Sequence, residues 1–93
     1  MTILKVNQFV APDPFGISLR SLAWVLADDK RANRFLGLTG LTPDQLRAGI
    51  GTREVQLAVL DFLCAHEPDL VAAADSLGLE PAAIASAREA LAR

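Results

Sequence analysis

The sequence holds one cysteine, one histidine and one tryptophan in 93 residues, and it has no tyrosine. A single cysteine, Cys64, excludes an internal disulfide framework and a multi-cysteine zinc site, and it fits a reducing compartment. Long apolar runs are missing as well: no stretch approaches the roughly 18 residues of a membrane helix. The opening "MTILKVNQFV" carries one Lys, no long apolar core and no small-residue cleavage site, so neither a signal peptide nor a membrane span is expected, and the expected location is the cytoplasm. Glycines 37, 40, 49, 51 and 78 form no phosphate-cradling pattern, which leaves them as caps and close-packing points.

What is present points to helices. Hydrophobic residues make up 52% of the chain, many of them alanine and leucine, a composition suited to close helix packing. A single domain of this length buries roughly 60–65% of its unfolded surface, enough to fold alone. Capping chemistry marks the helix starts. Asp13-Pro14 opens a first helix to about Ala27, with Phe15, Leu19, Leu22 and Leu26 at three- and four-residue spacing as the expected core stripe. Asp28-Asp29 caps a second helix, near Lys30 to Thr39, that Gly40 ends. In "LTPDQL", residues 41–46, Thr42 is an N-cap, Pro43 the first helical residue and Gln45 the partner of a capping box, with Leu41 stapled onto Leu46.

The longest apolar helix follows, from about Thr52 to His66. Val55, Leu57, Val59, Leu60, Phe62, Leu63 and Cys64 cover most of its circumference and leave a narrow stripe of Glu54, Ala58, Asp61 and Ala65, so it is expected at the centre of the fold. Further helices run from about Pro68 to Leu77, closed by Gly78, and from Pro81 to Ala92. The start at Leu79-Glu80-Pro81 echoes the one at Leu41-Thr42-Pro43 but lacks its cap and its glutamine. The expected fold class is therefore all-α: a compact bundle of five or six short helices in one domain, residues 13–93, preceded by an N-terminal arm, residues 1–12, that reads as extended or flexible.

Charge is segregated. Residues 20–53 hold six basic and three acidic side chains, whereas residues 54–87 hold six acidic and no Lys or Arg. The basic half suggests a surface of Arg31, Arg34, Arg47 and Arg53. Trp24 lines up with Ile17 seven residues earlier, off the expected core stripe. The pair can pack under the N-terminal arm or form the centre of a protein interface.

Catalytic patterns are weak. Cys64 and His66 project roughly 200° apart on one helix and cannot pair, so they read as a core thiol and a histidine at a helix end. Glu54 and Asp61 share a face roughly 10 Å apart, which reads as a solvated stripe. Helix-turn-helix spacing occurs around Ala74, Gly78 and Ile84, but the following helix carries no base-reading side chain before Arg88 and sits among acidic residues.

The stretches "SLRSLAWVLADDKRANRFLGLTGLTPDQLRAGI" and "AVLDFLCAHEPDLVAAADSLGLEPAAIASAREAL" are similar to a group of small all-helical bacterial proteins, mostly alphaproteobacterial, known as domain of unknown function 3572. The similarity spans about residues 18–91, and "RFLGLTGL", "VLDFL" and "LGLEP" are its most specific pieces. This resemblance implies a compact cytoplasmic domain of bacterial origin and brings no activity or site residue with it.

The resulting expectation is a non-enzymatic protein-interaction or adaptor module with no cofactor, metal or catalytic residue and no membrane association. Its candidate surface is Arg31, Arg34, Arg47, Arg53, Ile17 and Trp24. The rival reading is a helix-turn-helix-like nucleic-acid-binding regulator using helices near residues 30–50, with Gln45 available to a base. The oligomeric state stays open.

Overall fold

The computed structural model describes residues 13–93. The arm expected over residues 1–12 lies outside the described residues. Six helices follow one another: α1 Pro14–Leu26, α2 Asp29–Thr39, α3 Pro43–Gly49, α4 Arg53–Cys64, α5 Glu67–Leu77 and α6 Pro81–Ala92. Among the described residues there is no strand.

Most of the caps form as their sequence dictates. Asp13 Oδ2 accepts from Gly16 N at 3.1 Å, and Asp28 Oδ2 accepts from Arg31 N at 2.9 Å. The α3 capping box closes in both directions: Thr42 Oγ1 accepts from Gln45 N at 3.1 Å, and Gln45 Oε1 accepts from Thr42 N at 3.0 Å. Helices α2 and α5 end at Gly40 and Gly78, whose φ angles of 76° and 71° lie in the left-handed region that glycine enters at little cost. Helix α6 starts at Glu80 without a side-chain cap.

Helix α4 is central and packs against each of the other five. Val55, Val59, Leu60, Phe62 and Leu63 are all buried, as an apolar band this wide requires. Phe62 meets Phe35 of α2 edge to face, with centroids 5.4 Å apart and planes at 80°. Small side chains bring the other layers close: Ala73 and Ala74 on α5 and Ala87 on α6 are buried beside Ile84. Across the α5–α6 turn the chain bends by 104°.

The buried face of α1 differs from the expected stripe. Ile17, Ser18, Ser21, Leu22 and Val25 point inward, while Phe15 and Leu26 are 42% and 39% exposed. At 100° per residue the buried face is turned by roughly 100° from the Phe15/Leu19/Leu22/Leu26 line. Two serines on that face let α1 approach α4 and α6 closely, and Ser18 Oγ donates to Phe15 O at 2.8 Å. The rotation draws Ile17 into the core.

Among the described residues three buried polar side-chain atoms, Ser21 Oγ, Arg31 Nε and Gln56 Nε2, have no hydrogen-bond partner. An unpaired buried amide costs free energy that an apolar side chain of similar length does not. Gln56→Met is therefore expected to raise stability by about 1 kcal/mol, read as a higher urea midpoint at unchanged slope. A lower midpoint would mean that the amide is satisfied.

Candidate interaction surface

The polar stripe of α4 becomes the floor of two open grooves. One lies between α2 and α4, has a volume of about 570 Å³, and is lined by Leu38 and Thr39 on one side and by Ala58, Phe62, Ala65 and His66 on the other. The second, about 680 Å³, lies between α4 and α6 and is lined by Cys64, Ala65, Ala82, Ala85, Arg88 and Glu89 among others. Asp61 borders both, and its carboxylate pairs with Arg88 across to α6. Alanines at 58 and 65 keep the floor low, and Leu38 is 73% exposed at its edge.

Charges around the first groove are arranged by Asp69. Its mostly covered carboxylate accepts from Arg34 and stands 3.1 Å from His66 Nδ1. Asp69 sits in the first turn of α5, where the positive end of the helix dipole favours a carboxylate. Arg34 also lies over the Phe62 ring, 5.2 Å from its centre, so the guanidinium covers one end of the apolar floor while joining α2 to α5.

The residues expected as a binding surface are dispersed. Ile17 is 3% exposed and belongs to the core, so it is not the centre of an interface. Trp24 is half-buried beneath Arg31, whose guanidinium stacks 3.6 Å from the ring centre and donates to Trp24 O. Arg34 is held by Asp69, and Arg47 pairs with Asp44 one turn earlier on α3 at 2.8 Å. Arg53 donates to Leu91 O and Arg93 O, satisfying carbonyls at the end of α6 that have no helical donor. Each of the four arginines thus serves a different internal partner. Gln45, considered for base reading, has its side-chain oxygen occupied by the capping box.

The groove residues Leu38, Phe62 and Ala65 were not singled out by sequence reasoning as a site. The stripe Ala58, Asp61, Ala65 was visible as a gap in the apolar surface of α4. Leu38 was masked because it stands three residues after Phe35, a spacing that normally shares burial.

Cys64 and His66 part, but not through a shared helix: α4 ends at Cys64, short of the expected His66, which with φ −137° and ψ 99° is the extended residue before α5, so the thiol lines the α4–α6 groove and the imidazole the α2–α4 groove. Burial pushes the Cys64 thiol above its ordinary pKa; Arg88 opposes the shift and Asp61 adds to it. The neutral thiol is thus the form the fold favours. Its stability contribution is complete below the ordinary cysteine pKa and is lost as pH rises through the raised one. Iodoacetamide is expected to label Cys64 several-fold more slowly in the native protein than in urea at mildly alkaline pH, with the native rate still climbing where an ordinary thiol has levelled off. Equal rates would contradict the burial effect.

Residues 12–93 match the family described as protein of unknown function, DUF3572. The chain belongs to this family. The match covers every described helix of the DUF3572 chain, including both walls of each groove. No curated protein and no solved structure matches the chain. Among the described residues no single helix of this DUF3572 protein is long and apolar enough to cross a membrane.

Proposed function

We propose that this DUF3572 protein is a small non-enzymatic interaction module of the bacterial cytoplasm that binds another protein through the grooved face formed by α2, α4 and α6. The observation that carries the reading is the α2–α4 groove: an apolar floor of Ala58, Phe62 and Ala65 with a highly exposed leucine at its rim. An apolar recess edged by polar groups is the usual form of a protein-binding surface. The arginines support the same side of the choice. A nucleic-acid site needs cations free to meet phosphates, and Arg31, Arg34, Arg47 and Arg53 each have a partner within the chain.

The test is affinity purification of the tagged full chain from cells that naturally make it, with nuclease-treated and untreated halves identified by mass spectrometry. A defined protein retained after nuclease, and rebinding in purified form, is the expected result. Recovery of nucleic acid, with all partners lost on nuclease treatment, overturns the reading in favour of a helix-turn-helix-like regulator using α2 and α3.

A further inference from the structure

We propose that α2 and α3, residues 29–49, form a flap that opens as one unit from a four-helix body, with the Arg34–Asp69 pair as its latch. The inference concerns the chain by itself and stands whether or not a partner occupies the groove. Packing divides the helices unevenly. Each of α1, α4, α5 and α6 touches the other three, so this set closes a core among its own members. Helix α2 leans mainly on α1 and α4, and α3 mainly on α4. Each of these two helices buries a single side chain, Phe35 and Leu46, with Leu36 and Leu41 only partly covered. A segment with few buried apolar contacts, at the edge of a body complete without it, opens below the free energy of global unfolding.

The flap is braced inside and lightly joined at its ends. Between α2 and α3, Gly40 N donates to Leu36 O at 2.9 Å and Leu41 N donates to Thr39 Oγ1 at 3.3 Å, while the Thr42–Gln45 box fixes the start of α3. All of these bonds lie within the segment, so they survive opening and carry α3 along with α2. Beyond the two buried side chains, closure rests on Arg31 over Trp24, next to the joint with α1, and on Arg34, which reaches Asp69 of α5. Asp69 belongs to the four-helix body, which makes its pair with Arg34 a latch and not an internal brace. When the flap opens, Phe35 leaves its edge-to-face contact with Phe62 and the Arg34 guanidinium leaves the same ring. Phe62, only 7% exposed in the closed form, then floors a deeper apolar cleft continuous with the α2–α4 groove. The size of that recess is thus set by the flap.

The experiment is amide hydrogen exchange followed by NMR on the full chain, under conditions where closing outpaces exchange. The amides of α2 and α3 are expected to share one opening equilibrium and to exchange about tenfold or more faster than the slowest amides of α4. Leu46→Ala, a truncation in α3, is expected to accelerate the amides of α2 by the same factor as those of α3. Arg34→Gln, at an exposed position, is expected to accelerate both helices several-fold, and it carries the coupling test should Leu46→Ala not fold. Arg47→Gln leaves the flap at its parent rate, because the pair with Asp44 lies within α3 and is kept on opening. Ile84→Val, fully buried on α6, is expected to accelerate the slowest amides of the body several-fold and to leave the flap unchanged, because its contacts persist when the flap opens. Flap amides as slow as those of α4, or an equal response of flap and body to Ile84→Val, would mean that only global unfolding exposes them and would overturn the proposal. A response to Leu46→Ala or Arg34→Gln confined to the substituted helix overturns the single unit, and no response to Arg34→Gln overturns the latch.

Discussion

Replacing Phe35 with alanine is expected to remove about 3–5 kcal/mol of folding free energy, a large share of what a domain of this size has available. Phe35 is the one buried side chain of α2, with 0% exposure, and its ring meets the edge or face of Phe62 in the centre of the molecule. The other ties of α2 are weaker. Arg31 on Trp24 and Arg34 on Asp69 are partly exposed polar contacts, which typically contribute a fraction of the free energy of a buried aromatic ring. Urea denaturation should therefore show a steep loss of midpoint, and amide exchange should accelerate in α2 before α4. Phe35→Leu, which refills part of the volume, is expected to recover a substantial fraction. A loss below about 1 kcal/mol for Phe35→Ala would mean that surface pairs hold α2, contrary to their expected magnitude. Because α2 forms one wall of the groove, its detachment is also expected to abolish association through that face.

Enlarging Ala74 to leucine should destabilise the domain by about 1–3 kcal/mol, the usual range for overpacking a filled interior. Ala74 is 1% exposed and lies four residues before Gly78, where α5 gives way to α6 through a bend of 104°. At this corner Leu79 N donates to Ala74 O at 2.8 Å, so the backbone of Ala74 is tied to the turn and the residue cannot shift independently of it. A leucine must either adopt a strained rotamer or push the layers apart. Ala72→Leu on the exposed side of the same helix is the control and is expected to stay within about 0.5 kcal/mol of the parent in thermal melts. Equal effects at the two positions would show that helix propensity, and not the packing of the corner, sets the cost.

The helix boundaries were legible because their determinants are local. Thr42 and Gln45 satisfy one another's backbone donors within four residues, and Gly40 and Gly78 supply left-handed turns whatever lies across from them. The starts of α1, α3 and α4 follow from such caps and that of α6 from Pro81 alone, with α2 beginning one residue earlier than expected at Asp29 and α5 one residue earlier at Glu67. Helix α4 was legible as the central element for a different reason: a helix apolar around most of its circumference has few stable positions other than the middle of a bundle.

Rotation about a helix axis was harder to read. Helix α1 offers two apolar lines, and the one with larger side chains, Phe15 and Leu26, lost to the one with Ile17, Val25 and two serines. That outcome depends on α4 and α6, which favour a slim surface over a bulky one, and neither is near α1 in sequence. The same rotation took Ile17 out of the candidate surface and left Trp24 at its edge under Arg31.

From the sequence alone, then, followed the all-α class, the order of the helices, their caps and the centrality of α4, because each rests on interactions within a few residues or on the composition of one helix. The tertiary structure alone decided which face of α1 is buried, which partner each arginine meets, and that Ala58, Asp61 and Ala65, part of a stripe still open to solvent, also floor a groove. Those outcomes turn on partners distant in the chain: Arg34 meets Asp69 and Arg53 meets the end of α6 only after the bundle has closed. Spacing along one helix records which residues share a side, but what faces that side is set by the packing of all six.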